Sequence, residues 1–167
     1  MAGDAPRALY PGTFDPVTLG HLDLIRRGVE LFGTLRVAVA RNESKQPLFS
    51  PDERVDMLRR EVAGIPGVSV ASFRGLVVDY CRREGIGVIL RGIRTVSDFE
   101  YEYQMALTNR ALERSVETVF VMPSEEYSFV SSRLIKEVYA AGGDLDRFLS
   151  PAVRDRLVQR LAEGAGS

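Results

Sequence analysis

Short apolar runs alternate with amphipathic stretches along the whole chain, and turn residues separate the two. The apolar runs are continuous, which is typical of strands that are buried on both faces of a sheet. They predict five strands, at Ala8–Tyr10, Leu35–Ala40, Val68–Phe73, Val88–Leu90 and Thr118–Met122. Because a helical pattern separates consecutive strands, we expect an α/β fold with right-handed crossovers. The predicted architecture is a single domain with a five-stranded parallel sheet and helices on both faces.

Capping and stop signals delimit the amphipathic stretches. Thr18 is placed to cap the first helix, and Ser50-Pro51 has the sequence of a helix start. The predicted helices run from about Thr18 to Phe32, Pro51 to Val62, Leu76 to Glu84, Asp98 to Leu112, Ser131 to Ala141, and Ser150 to Leu161.

The carboxyl ends of parallel strands meet at one edge of a sheet, and ligands bind there in open α/β folds. Five loops fall at that edge: YPGTFDP, RNESKQP, RGLV, RGIR and PSEEYSFVSS. Most of the chain's candidate catalytic residues lie in these loops. The predicted topology therefore places an active site at this edge.

The first of these loops is part of the stretch Tyr10–His21, which reads YPGTFDPVTLGH. This stretch has the order of a strand end, a tight turn and a helix start. Gly20 and His21 fall in the first helical turn, where backbone N–H groups lack helical partners and the helix dipole is positive. Such an end suits a phosphate, and the combination with Thr13 favours that interpretation. The alternative is that the glycines and prolines serve only the geometry of the turn.

Basic side chains and a second helix start lie in the other loops. Arg91 and Arg94 flank Gly92 directly after a strand, where two guanidiniums and backbone N–H groups can meet a polyphosphate. Ser128–Ser132, SFVSS, opens a helix and offers a second anion-binding end, or only a cap. Lys45 points either into the site or outwards, and Arg74 is interpreted as a solvated charge. Glu102 belongs to a solvated helix face or orients a bound ligand.

Composition narrows the function classes. The chain has 167 residues, a net charge of −1, one cysteine and one histidine. It is expected to form one domain over 1–167 with a core at 7–161, without an internal disulfide or a multi-histidine metal site. No signal peptide or membrane-length apolar run is found in the sequence, so we expect a cytoplasmic protein that binds neither nucleic acid nor membrane. A P-loop and a G-x-G-x-x-G turn are both lacking, which argues against P-loop enzymes and dinucleotide oxidoreductases.

No general acid–base pair stands out in the loops. Nucleotidyl transfer to a phosphate monoester does not require one, because the nucleophile is already an anion. Catalysis can then consist of positioning and of charge stabilisation at the reacting phosphorus.

Four segments in this order resemble a known family. The T-x-G-H ending of YPGTFDPVTLGH is similar to the signature of the nucleotidylyltransferase superfamily. NESKQPLFSPDER, LRGIRTVSDFEYE and MPSEEYSFVSSRLIKEV resemble bacterial phosphopantetheine adenylyltransferases, over about Arg7 to Leu161. The resemblance implies a Rossmann-like domain that transfers AMP from ATP to 4′-phosphopantetheine. The products are dephospho-coenzyme A and pyrophosphate, the penultimate step of coenzyme A biosynthesis.

The resemblance also implies roles for individual residues. Catalysis would rest on Thr13, His21, Lys45 and Arg91. ATP would be bound by Thr13, Phe14, His21, Gly92, Ile93, Arg94, Glu102, Tyr127, Ser128, Phe129, Val130, Ser131, Ser132 and Arg133. Phosphopantetheine would be bound by Thr13, Lys45, Leu76, Val77 and Arg91. Mg²⁺ bound through the ATP phosphates, a homohexamer and inhibition by coenzyme A are further implications. Leu19 stands where many members have Asn, and Tyr127 where some have Trp.

Two alternatives stay open. One is an adenylyltransferase of the same superfamily that acts on nicotinate mononucleotide or on a polyol phosphate. The other is a non-catalytic module that senses a nucleotide. Lys45 and Arg91, together with the helix that contains YEYQM, distinguish the phosphopantetheine enzymes from the first alternative. The presence of His21 and Lys45 argues against the second.

Overall fold

One parallel sheet of five strands, with helices on both faces, organises the fold. The computed structural model describes residues 8–42 and 46–164. The strands lie in the order β3-β2-β1-β4-β5, with bounds β1 Ala8–Gly12, β2 Leu35–Ala40, β3 Val68–Phe73, β4 Val88–Gly92 and β5 Glu117–Val121. The predicted architecture is therefore confirmed.

Helices connect the strands and follow the last one. Their bounds are α1 Leu19–Phe32, α2 Pro51–Val62, α3 Val77–Glu84, α4 Val96–Leu112, α5 Ser132–Ala140 and α6 Pro151–Gly164, with a 3-10 turn at Glu125–Tyr127. Thr18, Ser50 and Ser131 each accept a hydrogen bond from the third backbone N–H of the following helix. These caps satisfy donors that a helix start leaves unpaired.

Two strands are longer than the apolar runs that predict them. β4 continues past Leu90 because Arg91 and Gly92 pair with Phe120 and Val121 of β5. The prediction that Arg91 and Gly92 belong to a turn is therefore wrong. Likewise, β1 continues to Gly12, which pairs with β2. Main-chain pairing does not need apolar side chains, so hydropathy alone ends these strands too early.

The core lies on both faces of the sheet, as continuous apolar strands require. Ala8 and Tyr10 of β1 pack into the cluster beneath α1, α2 and α6, whereas Leu9 packs with α3 on the other face. Cys81 is fully buried in that second cluster and agrees with its interpretation as a small hydrophobe. Across residues 8–42 and 46–164, no helix has the length and apolar character needed to cross a bilayer.

A crevice opens where β1 and β4 separate. The two strands pair only at Ala8 with Val88 and Leu9 with Ile89, while β1 stays paired with β2 as far as Gly12. From β1 the chain continues to β2 and β3 on one side of the sheet, and then crosses to β4 and β5 on the other side. The space between β1 and β4 is therefore the switch point of the strand order. The fold therefore forms a ligand-sized opening at the carboxyl ends of β1 and β4.

Candidate functional site

His21 lies at the start of α1 and lines the pocket that fills this crevice. Its Nδ1 accepts a hydrogen bond of 3.0 Å from the Thr18 backbone N–H, so Nδ1 carries no proton. The ring hydrogen is therefore on Nε2. Burial, helped by the charges of Arg94 and Arg91, lowers the pKa of His21 to about 4. The site thus contains a neutral imidazole that can donate one hydrogen bond.

The aromatic rings of Phe14 and Tyr10 pack close to the imidazole of His21. Phe14 has a positive φ of 52° and packs its ring at 4.9 Å from the ring of His21. That backbone conformation is costly for a residue with a side chain and is maintained here by burial of the ring, which is 2% exposed. Tyr10 packs edge-on against Phe14, and burial raises the pKa of its hydroxyl to about 12. Both rings line the pocket, so Phe14 borders the opening as well as supporting His21.

Arg91 bridges the gap between the diverging strands. Its Nη1 donates to the Pro11 carbonyl of β1 at 2.7 Å, and Nε and Nη2 donate to the two oxygens of Glu102 at 2.8 and 2.5 Å. Burial opposes the charged form, but the Glu102 hydrogen bonds and charge outweigh it and raise the pKa of Arg91. Glu102 is 8% exposed, so the interpretation of Glu102 as part of a solvated face is wrong. The Glu102 carboxylate, on α4, instead fixes the orientation of the Arg91 guanidinium.

Arg94 joins β4 to the start of α5. Its Nη1 donates to the Val130 carbonyl at 2.7 Å, and Nε donates to Asp98 at 3.3 Å. The backbone N–H groups of this loop are already used, since Ile93 donates to Val121 and Arg94 donates to Asp98. The expectation that the RGIR backbone offers these N–H groups to a polyphosphate is therefore wrong. Its guanidiniums face the pocket.

The starts of α1 and α5 border the same pocket. Gly20, His21, Ser131 and Ser132 all line it. Ser131 caps α5 through a 3.1 Å bond from Leu134 N–H, and Ser132 Oγ donates to the Pro16 carbonyl at 2.8 Å. Within the described part of the chain, the Gly20 N–H has no hydrogen-bond partner. Two helix starts and two guanidiniums therefore surround one opening, which is an arrangement suited to a polyanion.

Gly92 serves packing. A Cβ at this position would lie 2.4 Å from Cδ1 of Leu24 on α1. Gly92 thus allows α1 to approach the end of β4 closely, which brings His21 and Arg91 to the same pocket. This role was not part of the sequence-based hypothesis, which assigned Gly92 to ATP.

A second cleft adjoins the first. Pro11, Gly12, Thr13, Arg91 and Glu102 line both clefts. The second one extends between β3, α3 and α4, and its remaining lining is largely apolar: Ala40, Phe73, Val77, Ile89, Tyr101, Met105, Ala106, Asn109 and Thr118. Leu76 is exposed and borders the open end next to Val77. Thr13 and Arg91 therefore stand at the junction of a polar pocket and a more apolar one.

The structure gathers most of the predicted site residues at this junction. In the polar pocket lie Thr13, Phe14, His21, Arg91, Gly92, Arg94, Glu102, Tyr127, Val130, Ser131 and Ser132. Four other predicted ATP contacts are not among its lining residues: Ile93, Ser128, Phe129 and Arg133. Phe129 packs edge-on against Phe148, and Arg133 pairs with Glu137 on the surface. Lys45 lies outside the described residues.

Sequence reasoning missed two buried charged residues beside the site. Asp15 is 5% exposed and Arg54 is 1% exposed. Arg54 donates to the Thr13 carbonyl at 2.7 Å and thereby holds the turn after β1. The available signal was the position of Arg54 on α2, one helical turn before Leu58 and two before Val62, both of which are buried. An arginine on the apolar stripe of a helix indicates a paired buried charge.

Carboxylates near the pocket are engaged by arginines. Asp98 pairs with Arg94, and Glu102 pairs with Arg91. Within 8–42 and 46–164, no group of three or more His, Cys, Asp or Glu side chains is placed to hold a metal ion.

Comparisons with known proteins show the family of this chain. A family model described as cytidylyltransferase-like matches residues 9–138. The phosphopantetheine adenylyltransferase of Syntrophotalea carbinolica is 51% identical over 156 residues, covering 93% of this chain and 94% of that protein. The protein of that name from Aromatoleum aromaticum is 50% identical over 155 residues, with coverage of 93% and 95%.

Among solved structures, the nicotinic acid mononucleotide adenylyltransferase of Plasmodium falciparum complexed with NaAD has a similar fold. The TM-score is 0.65 at 12% identity, and the match covers 91% of this chain and 94% of that one. At this identity the likeness concerns the fold alone.

Proposed function

Because this chain belongs to the phosphopantetheine adenylyltransferase family, we propose that it transfers AMP from ATP to 4′-phosphopantetheine. The products are dephospho-coenzyme A and pyrophosphate, in the penultimate step of coenzyme A biosynthesis. One observation carries the proposal beyond the family: the polar pocket and the more apolar cleft share Thr13 and Arg91. A reaction between a nucleotide and a long, partly apolar phosphate monoester needs two such sites with a common border.

The nucleotide occupies the polar pocket in this proposal. The triphosphate lies between the starts of α1 and α5, where the Gly20 N–H, His21 Nε2, Arg94 and the Ser131 hydroxyl supply donors. Tyr127 and Val130 line the wall that faces the nucleoside. Ile93, Ser128, Phe129 and Arg133 stay proposed ATP contacts on the resemblance to the family alone, since they lie outside the lining of the polar pocket.

The acceptor occupies the second cleft. Its phosphate meets Thr13 and Arg91 at the junction, and Lys45 is proposed as the third contact. The pantetheine arm follows Val77 and Leu76 along the apolar lining. Glu102 holds two of the Arg91 nitrogens, so the guanidinium is positioned before either substrate arrives.

The transfer itself is a direct displacement. An oxygen of the acceptor phosphate forms a bond to the α-phosphorus of ATP, the bond from that phosphorus to the α–β bridging oxygen breaks, and pyrophosphate leaves with the electron pair. The acceptor is already an anion, so no base takes a proton. Neutral His21 donates from Nε2 to an α-phosphate oxygen as charge develops there, which is a transition-state interaction that needs no reorganisation of solvent.

Mg²⁺ is proposed to arrive with ATP. The Asp98 and Glu102 carboxylates of the pocket are paired with arginines, so we assign the ion to phosphate oxygens and to water. When bound, it supplies charge neutralisation for the triphosphate. The protein's own residues orient the phosphates around it.

Three further properties belong to the proposal. We expect a homohexamer, inhibition by coenzyme A through the pocket of the product, and location in the cytoplasm. Support for assembly comes from α4, where Phe99, Tyr101, Tyr103 and Leu107 are each 45–62% exposed. Sequence analysis alone did not separate this apolar surface from the core.

Pyrophosphate release tests the reaction. The protein is incubated with ATP and, separately, with 4′-phosphopantetheine, nicotinate mononucleotide or glycerol 3-phosphate. We expect turnover with 4′-phosphopantetheine alone. Turnover restricted to another acceptor, or ATP binding without turnover on any of them, would contradict the proposal.

Lys45→Ala and Arg91→Ala test the acceptor site. Each is expected to raise the KM for 4′-phosphopantetheine more than the KM for ATP, because both cations are proposed to hold the acceptor phosphate. Arg59→Ala, which removes an exposed arginine on α2, serves as the control. A thermal melt accompanies Arg91→Ala, since this change leaves Glu102 buried without its partner.

A further inference from the structure

The Asp15 carboxylate lies beside the site, outside both cleft linings, and holds three parts of the molecule together. Its side chain is 7% exposed. Oδ2 accepts the Leu48 N–H and the Lys136 ammonium, each at 2.8 Å, and Oδ1 accepts the Phe49 N–H at 2.9 Å. All three donors come from residues more than 30 positions away in the sequence. This carboxylate therefore fixes tertiary structure rather than a local turn.

Two of the three parts border the proposed reaction site. Asp15 itself follows Thr13, which lines both clefts. Lys136 is on α5, whose first residue Ser132 lines the polar pocket and also donates to the Pro16 carbonyl. The Leu48 and Phe49 backbone leads into α2. Asp15 thus connects the turn that carries Thr13 to the start of the second helix around the triphosphate.

Arg54 also links the Thr13 turn to the segment before α2. It donates to the carbonyls of Thr13 and Phe49 at 2.7 and 3.1 Å. Asp15 accepts hydrogen bonds from the N–H groups of Leu48 and Phe49, and Arg54 donates to the carbonyl of the same Phe49. Two buried residues of opposite charge therefore clamp the turn and the Phe49 segment against each other, where low dielectric strengthens charged hydrogen bonds.

We propose that Asp15 is a positioning residue for adenylyl transfer, which acts with Lys136 to set the Thr13 turn relative to the start of α5. This inference rests on the proposed function. Asp15 touches neither substrate in the proposal, and its effect passes through the placement of Thr13. Displacement of a reacting group by about 1 Å costs up to about 100-fold in rate, so a partial loosening of this link reduces turnover.

A double-variant cycle in the full-length protein tests the link. Asp15→Asn and Lys136→Met are each expected to lower kcat about tenfold, with each substrate's KM changed less than about threefold. Because the two residues act as one pair, Asp15→Asn combined with Lys136→Met is expected to lose no more than either alone. Losses that multiply to about 100-fold would overturn the proposal, since Lys136 would then act on a substrate independently of Asp15.

Conservative and distant variants complete the design. Lys136→Arg keeps the charge and is expected to restore most of the kcat that Lys136→Met loses. Asp56→Asn removes a surface carboxylate that pairs with Arg60 and Arg156, and it is expected to match the parent. Activities are expressed per folded molecule from thermal melts. If Asp15→Asn does not fold, the Lys136→Met and Lys136→Arg comparison decides alone, because the Lys136 side chain is 36% exposed.

The outcomes separate the two proposals. A parent protein without turnover on ATP and 4′-phosphopantetheine overturns the proposed function and this inference with it. An active parent whose Lys136→Met variant keeps its kcat within twofold, or is not rescued by Lys136→Arg, overturns the inference alone.

Discussion

At the scale of the residue, His21 combines two tasks that depend on its being neutral. Its Nδ1 accepts the Thr18 N–H at the start of α1, and this bond directs the remaining N–H, on Nε2, away from the helix cap. The neighbouring Arg91 and Arg94 disfavour a third positive charge in the same pocket. Helix capping therefore selects the tautomer that the proposed chemistry uses.

His21→Ala is expected to lower kcat about 10²–10³-fold, as for the loss of one transition-state donor. The KM for ATP is expected to change little, because the interaction forms as charge develops. Steady-state pyrophosphate release measures both values, and circular dichroism checks the fold. His21→Asn is a useful companion, since it retains a side-chain hydrogen-bond donor. A near-normal kcat for His21→Ala would remove His21 from the mechanism.

The protonation of His21 can be followed directly, because the chain contains one histidine. With a pKa of about 4, the ring is expected to stay neutral from pH 7.5 to about pH 5 in the free enzyme. Heteronuclear NMR of the imidazole should show hydrogen on Nε2 and none on Nδ1 across that range. Titration at the ordinary value near 6.5 would contradict the half-buried, hydrogen-bonded geometry.

The lowered pKa of His21 also makes the stability of the protein depend on pH. Between pH 6.5 and about 4 the unfolded chain binds a proton at His21 that the native protein does not, so the native state loses stability as the pH falls through this window. His21→Gln lacks the titrating ring. The unfolding free energy of the parent relative to this variant is therefore expected to decrease from pH 7 to pH 5 in urea melts. A pH-independent difference would contradict this linkage.

At the scale of the element, sequence reasoning found what local chemistry determines. The caps Thr18 and Ser50 are readable from spacing, and both are confirmed. The SFVSS segment was predicted to open a helix, and its Ser131 is the residue that caps α5. Glu102 could not be assigned in the same way, because its burial depends on which face of α4 meets Arg91. Asp15 was missed for a related reason, since the donors that satisfy it lie 33 to 121 positions away. Long-range polar pairs leave no periodic signal.

The connection between α2 and β3 gives a test of an element boundary. Gly67 has φ of +83°, and a Cβ there would lie 2.5 Å from the Gly33 carbonyl oxygen, which is backbone and cannot rotate away. Gly67→Ala is therefore expected to destabilise the protein by about 1–3 kcal/mol. Gly64→Ala is the matched control in the same connection, because no atom lies within 4 Å of its Cβ position. Denaturant unfolding of both variants measures the difference, and equal stabilities would contradict the expected strain.

At the scale of the whole molecule, the fold turns a strand separation into a site. β1 leaves β4 after two paired positions, and Arg91 reaches across the resulting gap to the Pro11 carbonyl. Because β4 no longer pairs with β1 at this point, the Arg91 side chain supplies the donor that a neighbouring strand would otherwise give to this carbonyl. The topology could be predicted from the alternation of strands and helices. The gap itself could not, because it depends on how far two non-consecutive strands remain paired.

The burial pattern of α4 is the opposite of what hydropathy predicts. Glu102 and Asn109 are buried, whereas Tyr101, Tyr103 and Leu107 are 45–62% exposed. In a single chain this exposes apolar surface to water at a cost that association with other copies would remove. Glu102 and Asn109 line the clefts of the site, whereas Tyr103 and Leu107 line neither of these two clefts and face outward. The arrangement is consistent with the proposed assembly through α4.

Leu107→Glu is therefore expected to shift the protein from the mass of six chains to smaller species, because a charge in an apolar interface loses its hydration without a partner. Leu31→Glu is the control, since Leu31 is 61% exposed on α1 and lies outside this helix. Analytical ultracentrifugation at several concentrations measures the mass of each. Identical masses for the parent and Leu107→Glu would contradict assembly through this face. Dissociation by Leu31→Glu instead would place the interface on α1.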